Sequence, residues 1–426
     1  MFLPVKTDVS RVQRRTVWVL MASQAMGGVG ISAGIAVSAL LAEDILGSAS
    51  LAGLPQTGQV LGAAVAAFLL ARVMGSRGRR AGLVLGYGAG VAGAALCVLA
   101  GIAHSFPLLL LGTLSMGAAS AASSQARFAG TDLAGAEQRG RSLSLVVWAT
   151  TIGAVLGPNL AGPGAALARA VGVPDLTGAF LFAAVAVALS TLCLAVFLRP
   201  DPLLLAREMA RSRGEADQAP VTLTRVWSVL RVRPRAAAAL ASMAAAHAVM
   251  VSVMVMTPLH MRHGGAELHI IGLVISLHVL GMFAFAPLVG WTADRMGRAA
   301  VLTAGGVALL GAVLLAGTAP AGESARLTAG LFLLGLGWSC CLLAGSALLV
   351  DTTPLAERPG VQGVADLVAG LFAAGAGLLA GVVVAQWGYG TLNAGAGVLA
   401  LVVLGAAALE RRATDGGQDA RGVVIS

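Results

Sequence analysis

The stretch from Leu268 to Arg298 reads LHIIGLVISLHVLGMFAFAPLVGWTADRMGR. No charged side chain interrupts it before Asp294, and an apolar run of about 20 residues is what a helix needs to cross roughly 30 Å of hydrocarbon. The run therefore reads as a membrane span over 268–291 that ends in a short charged turn. The same alternation of apolar run and arginine-bearing turn recurs along the chain. Spans are predicted near 17–41, 51–74, 81–103, 106–128, 142–167 and 177–198, and again near 236–259, 268–291, 299–318, 326–350, 362–387 and 392–409.

Composition points the same way. With 58% apolar and 11% charged residues, the chain carries too little polar surface for an ordinary soluble protein. A β-barrel would show alternating segments of about ten residues, and the runs here are twice that length. Helices satisfy every backbone N–H and C=O internally and so remain the spanning structure. The 57 glycines suit helices that approach backbone to backbone in lipid. The expected fold is an all-α membrane protein of twelve transmembrane helices in two six-helix bundles. Its parts are an N-terminal bundle over 1–198, a polar linker over 199–235, a C-terminal bundle over 236–412 and a disordered tail over 413–426.

Charge assigns an expected orientation. With the N-terminus inside, the outer loops keep only Arg169, Arg262 and Arg326, which leaves 25 of the 28 basic residues inside. Such an asymmetry over short loops places both termini in the cytoplasm. The net charge of +9 follows from topology, because the arginines sit in short loops without the aromatic interleaving of a nucleic-acid surface. Only one basic residue, Lys6, is a lysine, which reflects coding bias more than mechanism and suggests a GC-rich bacterium; the expected location is a bacterial inner membrane. No small-residue cleavage site closes a short apolar region near the N-terminus, and the first span is read as retained. The four cysteines, Cys97, Cys193, Cys340 and Cys341, fall within apolar runs and read as small apolar residues. No nucleophile, phosphate-cradling loop or catalytic dyad is present, so neither an enzyme nor a resident cofactor is expected.

Two six-span halves and a basic linker, together with Gly290, Asp294, Arg295, Gly297 and Arg298 in the order G-x3-D-R-x-G-R, resemble the major facilitator superfamily. The resemblance implies a charge latch at this turn. The matching turn of the first half keeps Gly78, Arg79 and Arg80 but has Gly75 in place of the aspartate. Arg127 and Asp132 form a second candidate gating pair. In span five, Gly153, Gly157, Pro158 and Gly162 are similar to the G-x3-G-P pattern of proton-driven exporters in that superfamily. Glycine and proline at these places allow close helix approach and bending.

The most uneven feature lies between Met243 and Met282, where five of the six histidines and six of the thirteen methionines are found. Met250 and Met254 share a face of span seven, and His278 and Met282 share a face of span eight, because residues four apart are neighbours on a helix. Counting about 1.5 Å per residue puts all four near mid-membrane, where an antiparallel pair of spans would bring three thioethers and one imidazole together. Soft sulfur selects Cu(I), and imidazole also suits copper. The M-x3-M and H-x3-M pattern resembles the CcoA-type copper importers, which implies Cu(I) as transported ion and these four residues as its ligands. An outer group, His260, Met261, His263 and His269, would lie where metal enters.

Two readings stand side by side. The first is Cu(I) passing between spans seven and eight in an alternating-access transporter. The alternative is a proton-coupled transporter or exporter of a small organic molecule or drug, with Gln24, Gln56, Gln125, Trp148 and Asn159 as cavity residues. In either case the expected partners are the bilayer and a small solute or ion, with no nucleic acid, and the protein is expected to act as a monomer.

Overall fold

A computed structural model describes residues 9–47, 51, 53–213, 228, 230–266, 268–320 and 322–422, and for 268–269 and 414–422 it describes the backbone alone. The chain forms two compact units. The first comprises Met1–Val221 with Leu355–Gly363, and the second Thr222–Pro354 with Val364–Ser426.

In the first unit α1 (Val9–Leu46), α2 (Leu54–Arg77), α3 (Arg79–Ala103) and α4 (Phe106–Ala129) are followed by a broken fifth span. Its pieces are α5 (Arg139–Trp148), α6 (Thr150–Leu156) and α7 (Ala161–Ala170). Then come α8 (Gly178–Phe197) and the short α9 (Pro202–Ser212). Span five was expected to be continuous over 142–167. Pro158 instead opens a 3-10 turn, Pro158–Leu160, because it offers no N–H to the preceding turn. α1 begins earlier than its apolar run because Arg11, Arg14 and Arg15 extend the same helix beyond the hydrocarbon.

In the second unit α10 (Pro234–His263) is followed by α11 (Leu268–Phe283) and α12 (Ala286–Met296), which together form span eight. The break before Pro287 has the same cause as the one at Pro158. α13 (Arg298–Thr318), α14 (Ser324–Thr352) and α15 (Arg358–Gly422) from Val364 onward complete the unit, the first residues of α15 up to Gly363 belonging to the first unit. α15 is two helices joined at Gly388, whose φ of 85° and ψ of 168° stop one and start the next. Eleven stretches among the described residues are long and apolar enough to cross a membrane, and the division of the last at Gly388 gives twelve. The backbone of α15 stays helical to Gly422, into the tail expected to be disordered from 413, since nothing in ERRATDGGQ removes a backbone donor as proline would.

Burial follows the solvent on each side. Val185, Leu189, Leu192 and Val196 form a helical stripe on α8, each about half exposed, an apolar face that suits lipid tails. α14 is the opposite case, with 83% of its most apolar window buried. Its small residues Gly335, Gly337, Gly345 and Ser346 let α10, α11 and α13 pack along it.

The turns between α2 and α3 and between α12 and α13 are single glycines. Gly78 has φ 88° and Gly297 has φ 90°, a region that only glycine enters without strain. Each turn delivers an arginine, Arg79 or Arg298, as the first residue of the next helix.

Candidate functional site: two arginine turns and two polar interiors

In the first unit Arg79 is fully buried. Its Nε donates to Asp132 Oδ2 at 2.8 Å and its Nη2 to Asp132 Oδ1 at 3.2 Å, a forked pair with both side chains sealed from solvent. Nη2 also donates to Gln362 Oε1 at 2.7 Å, and Nη1 lies 3.7 Å from Met74 Sδ. Burying a guanidinium and a carboxylate is costly, and close bidentate geometry with the remaining N–H groups satisfied is what offsets the desolvation. Asp132 therefore faces Arg79. Arg127, expected as its partner, donates to Ser124 O at 2.8 Å and lies 4.5 Å over the Phe128 ring.

The second unit repeats the arrangement with more solvent. Arg298 Nε donates to Asp351 Oδ2 at 3.0 Å, and Nη1 lies 2.9 Å from Asp294 Oδ1. Asp294, Gly297 and Arg298 are thus brought together as the turn motif anticipates. Arg295 projects elsewhere, 5.4 Å over the Trp291 ring. Asp351 was not singled out in the sequence. The signal that finds it is an internal repeat: Arg79 precedes Asp132 by 53 residues, and Arg298 precedes Asp351 by 53.

The span-five glycines are explained by α1. Gly153 and Gly157 press on Gly28 and on Ser32 and Ala33, and at Gly153 the backbone of Gly28 occupies the place a Cβ would take. Gly162 faces open space, so its place in the pattern has no packing role here. Of the five proposed cavity residues, Gln24 and Gln125 are buried. Gln24 accepts from Tyr87 Oη at 2.6 Å and donates to Ser123 O at 3.1 Å. Gln56 is exposed, Trp148 is 37% exposed, and Asn159 folds back on Val155 O at 2.7 Å. Tyr87 and Gln59, the latter donating to Ser120 Oγ at 3.3 Å, are buried polar members of this interior that the sequence did not flag.

In the second unit α10 and α11 each pack along α14 and make little contact with each other. This differs from the adjacent antiparallel pair on which a shared ligand set was built. Met250 lies in the apolar core, with Met254 and Met282 half-buried against it. His278 is fully buried, and its Nδ1 is 2.7 Å from Leu331 O on α14. Its Nε2 is enclosed with no hydrogen-bond partner. The outer group does not converge either. Met261 is a core residue, His260 stacks on Tyr389 at 4.2 Å, and His263 is exposed. The side chain of His269 lies outside the described residues. Among the described residues no three of His, Cys, Asp and Glu are placed to hold a metal ion.

What α14 does assemble is aromatic. Trp338 Nε1 donates to His247 Nδ1 at 3.3 Å. The His247 and Phe283 rings meet Trp338 edge to face at 5.8 and 5.9 Å. α10, α11 and α14 contribute one ring each. Three of the cysteines are packing residues, Cys97 against Gly112 and Cys340 and Cys341 against Gly305, while the half-buried Cys193 has its Sγ 3.9 Å from Val19 O.

Two six-span halves, each turning on a left-handed glycine into a paired arginine, define a multi-pass helical transporter, a class without catalytic residues. The profile of the Major Facilitator Superfamily matches residues 18–270 and 252–423, and the chain belongs to that family. It is 38% identical over 395 residues to the MFS-type transporter YddS of Bacillus subtilis (strain 168), covering 93% of this chain and 90% of that one. It is 28% identical over 384 residues to the riboflavin transporter RfnT of Brucella anthropi, covering 89% and 92%. In fold it is similar to the human organic anion transporter MFSD10, with a TM-score of 0.72 at 18% identity over 93% of this chain and 99% of that one.

Proposed function

We propose that this protein moves a small planar heteroaromatic solute, a flavin or a molecule of that type, across the bacterial inner membrane by alternating access. The carrying observation is the ring cluster of His247, Phe283 and Trp338. Aromatic faces and edges stack on a conjugated ring system, and the imidazole supplies polar contact beside them. The 28% identity to a riboflavin transporter over nearly the whole of both chains supports the same solute class. In this reading the protein works as a monomer, both termini face the cytoplasm, and the arginine pairs hold one state of the cycle closed. The 25-to-3 division of basic residues supports the orientation.

The direct test is uptake of radiolabelled riboflavin by a strain that cannot make it. Expression of the wild type should support accumulation, and Trp338→Ala at equal membrane abundance should remove it. Accumulation that survives Trp338→Ala would sink the ring-cluster assignment, and no accumulation by the wild type would sink the solute class.

A second reading, Cu(I) import, has its own observation: the enclosed Nε2 of His278 with no partner, one helical turn from Met282. An imidazole nitrogen kept free inside an apolar core is a place for a soft cation. Radioactive copper uptake that is lost in His278→Ala and Met254→Ala, and retained in Trp338→Ala, is the outcome that would select it.

A further inference from the structure

Arg79 has its carboxylate and Arg298 has two, but among the described residues three neighbouring arginines of the first unit are paired with none. Arg77 ends α2, Arg80 lies in the first turn of α3, and Arg199 follows α8. Among the described residues none of these three side chains makes a hydrogen bond or an ion pair. All three line one open cleft of about 570 Å³ between the α2–α3 turn, the end of α8 and the start of α9. Asp201 also lines it, but its carboxylate is already engaged. It accepts from the backbone N–H groups of Arg80 at 2.7 Å, Leu203 at 3.0 Å and Leu204 at 3.2 Å, thereby capping α9. Among the described residues that line it, the cleft keeps a net positive charge from three guanidiniums against one carboxylate.

The surroundings indicate what fills it. Ala81, Val84, Ala195 and Leu204 line the cleft with the arginines, and Leu192, one turn before Ala195 on α8, is 59% exposed, so the apolar wall runs into the lipid-facing stripe of α8. A ligand suited to both parts carries an anionic phosphate and hydrocarbon chains together. Guanidinium forks match phosphate oxygens, and basic recesses between transmembrane helices at the arginine-rich face take anionic lipid headgroups. We infer that this cleft binds the phosphodiester headgroup of an anionic phospholipid, with Arg77, Arg80 and Arg199 on the phosphate and the acyl chains along α8. The bound lipid would fasten α9 to the α2–α3 turn. Arg207 of α9 already reaches that turn, donating to Gly75 O at 2.6 Å.

The test uses the full chain in nanodiscs containing phosphatidylethanolamine and phosphatidylglycerol, with a spin label on either lipid to report the motionally restricted fraction. Wild type should restrict phosphatidylglycerol several-fold more than phosphatidylethanolamine. The triple variant Arg77→Gln, Arg80→Gln, Arg199→Gln should lose that preference, while Arg169→Gln with Arg326→Gln, which alters exposed arginines elsewhere, should keep it. A triple variant with unchanged preference, or a wild type with none, overturns the inference. Should the triple variant not assemble, Arg77→Gln and Arg199→Gln are measured singly; each should lose part of the preference, and two unchanged singles overturn it equally. Glycerol 3-phosphate titrated into detergent-solubilised protein separates a headgroup from a free phosphate. Tight binding of this soluble anion that depends on the three arginines, without a lipid preference in nanodiscs, would also overturn the lipid assignment.

Discussion

Arg79 and Arg298 occupy the same place in the two halves, each following a glycine of left-handed φ and each reaching an aspartate 53 residues further on. Their surroundings have diverged. Arg298 has two carboxylates, Asp294 and Asp351, and 10% of its side chain is exposed. Arg79 has one, because Gly75 stands where the first half would carry the second acid, and that pair is closed to solvent with Gln362 added. A motif degraded in sequence has thus kept its geometry by exchanging a second charge for burial and an amide. In our reading the buried pair is the firmer of the two latches.

The largest effect that would break this comparison is at Asp132. Asp132→Ala leaves a sealed guanidinium without its counter-charge, which costs about 3–5 kcal/mol. The thermal midpoint of the purified protein should fall sharply and uptake should be lost; a midpoint near wild type would show that water reaches Arg79. The glycine turns come next. Gly78→Ala forces a positive φ and also meets the Asp201 carboxylate, at 2.5 to 2.8 Å, whereas Gly297→Ala meets nothing within 4 Å. Thermal melts should place Gly78→Ala at about 2–3 kcal/mol and Gly297→Ala nearer 1 kcal/mol, the cost of backbone strain alone. Equal losses would mean that contact with Asp201 is immaterial. Asp351→Asn should cost about 1 kcal/mol or less, since Arg298 keeps Asp294 and is partly solvated. The smallest effect is expected from Gly75→Asp, which restores the motif at an open position. It should change stability by no more than about 0.5 kcal/mol, as surface substitutions do, because Arg79 already has its partners.

The spans were legible because a bilayer fixes their length, whereas the break at Pro158 was not, since an apolar run gives the length of a span and not whether its helix is continuous. The turn glycines were legible too, as both stand in the motif. The partner of Arg79 was not, because a local reading paired Asp132 with Arg127, five residues away, while the true contact depends on how α3 and α4 pack. The methionine and histidine faces show the same limit. Periodicity places Met250 beside Met254 and His278 beside Met282, but it cannot show that α14 lies along both helices. The ring cluster escaped for that reason: Trp338 sits 91 residues from His247 and gains its meaning only from the third helix.

The central claim is that the second half carries an organic ring system and not a copper ion. It is tested most directly by giving one strain both labelled riboflavin and labelled copper, and comparing wild type, Trp338→Ala and His278→Ala at matched membrane abundance. The account predicts flavin accumulation that Trp338→Ala abolishes, with copper at the level of cells lacking the protein. Copper accumulation that His278→Ala abolishes, without any flavin uptake, would contradict it.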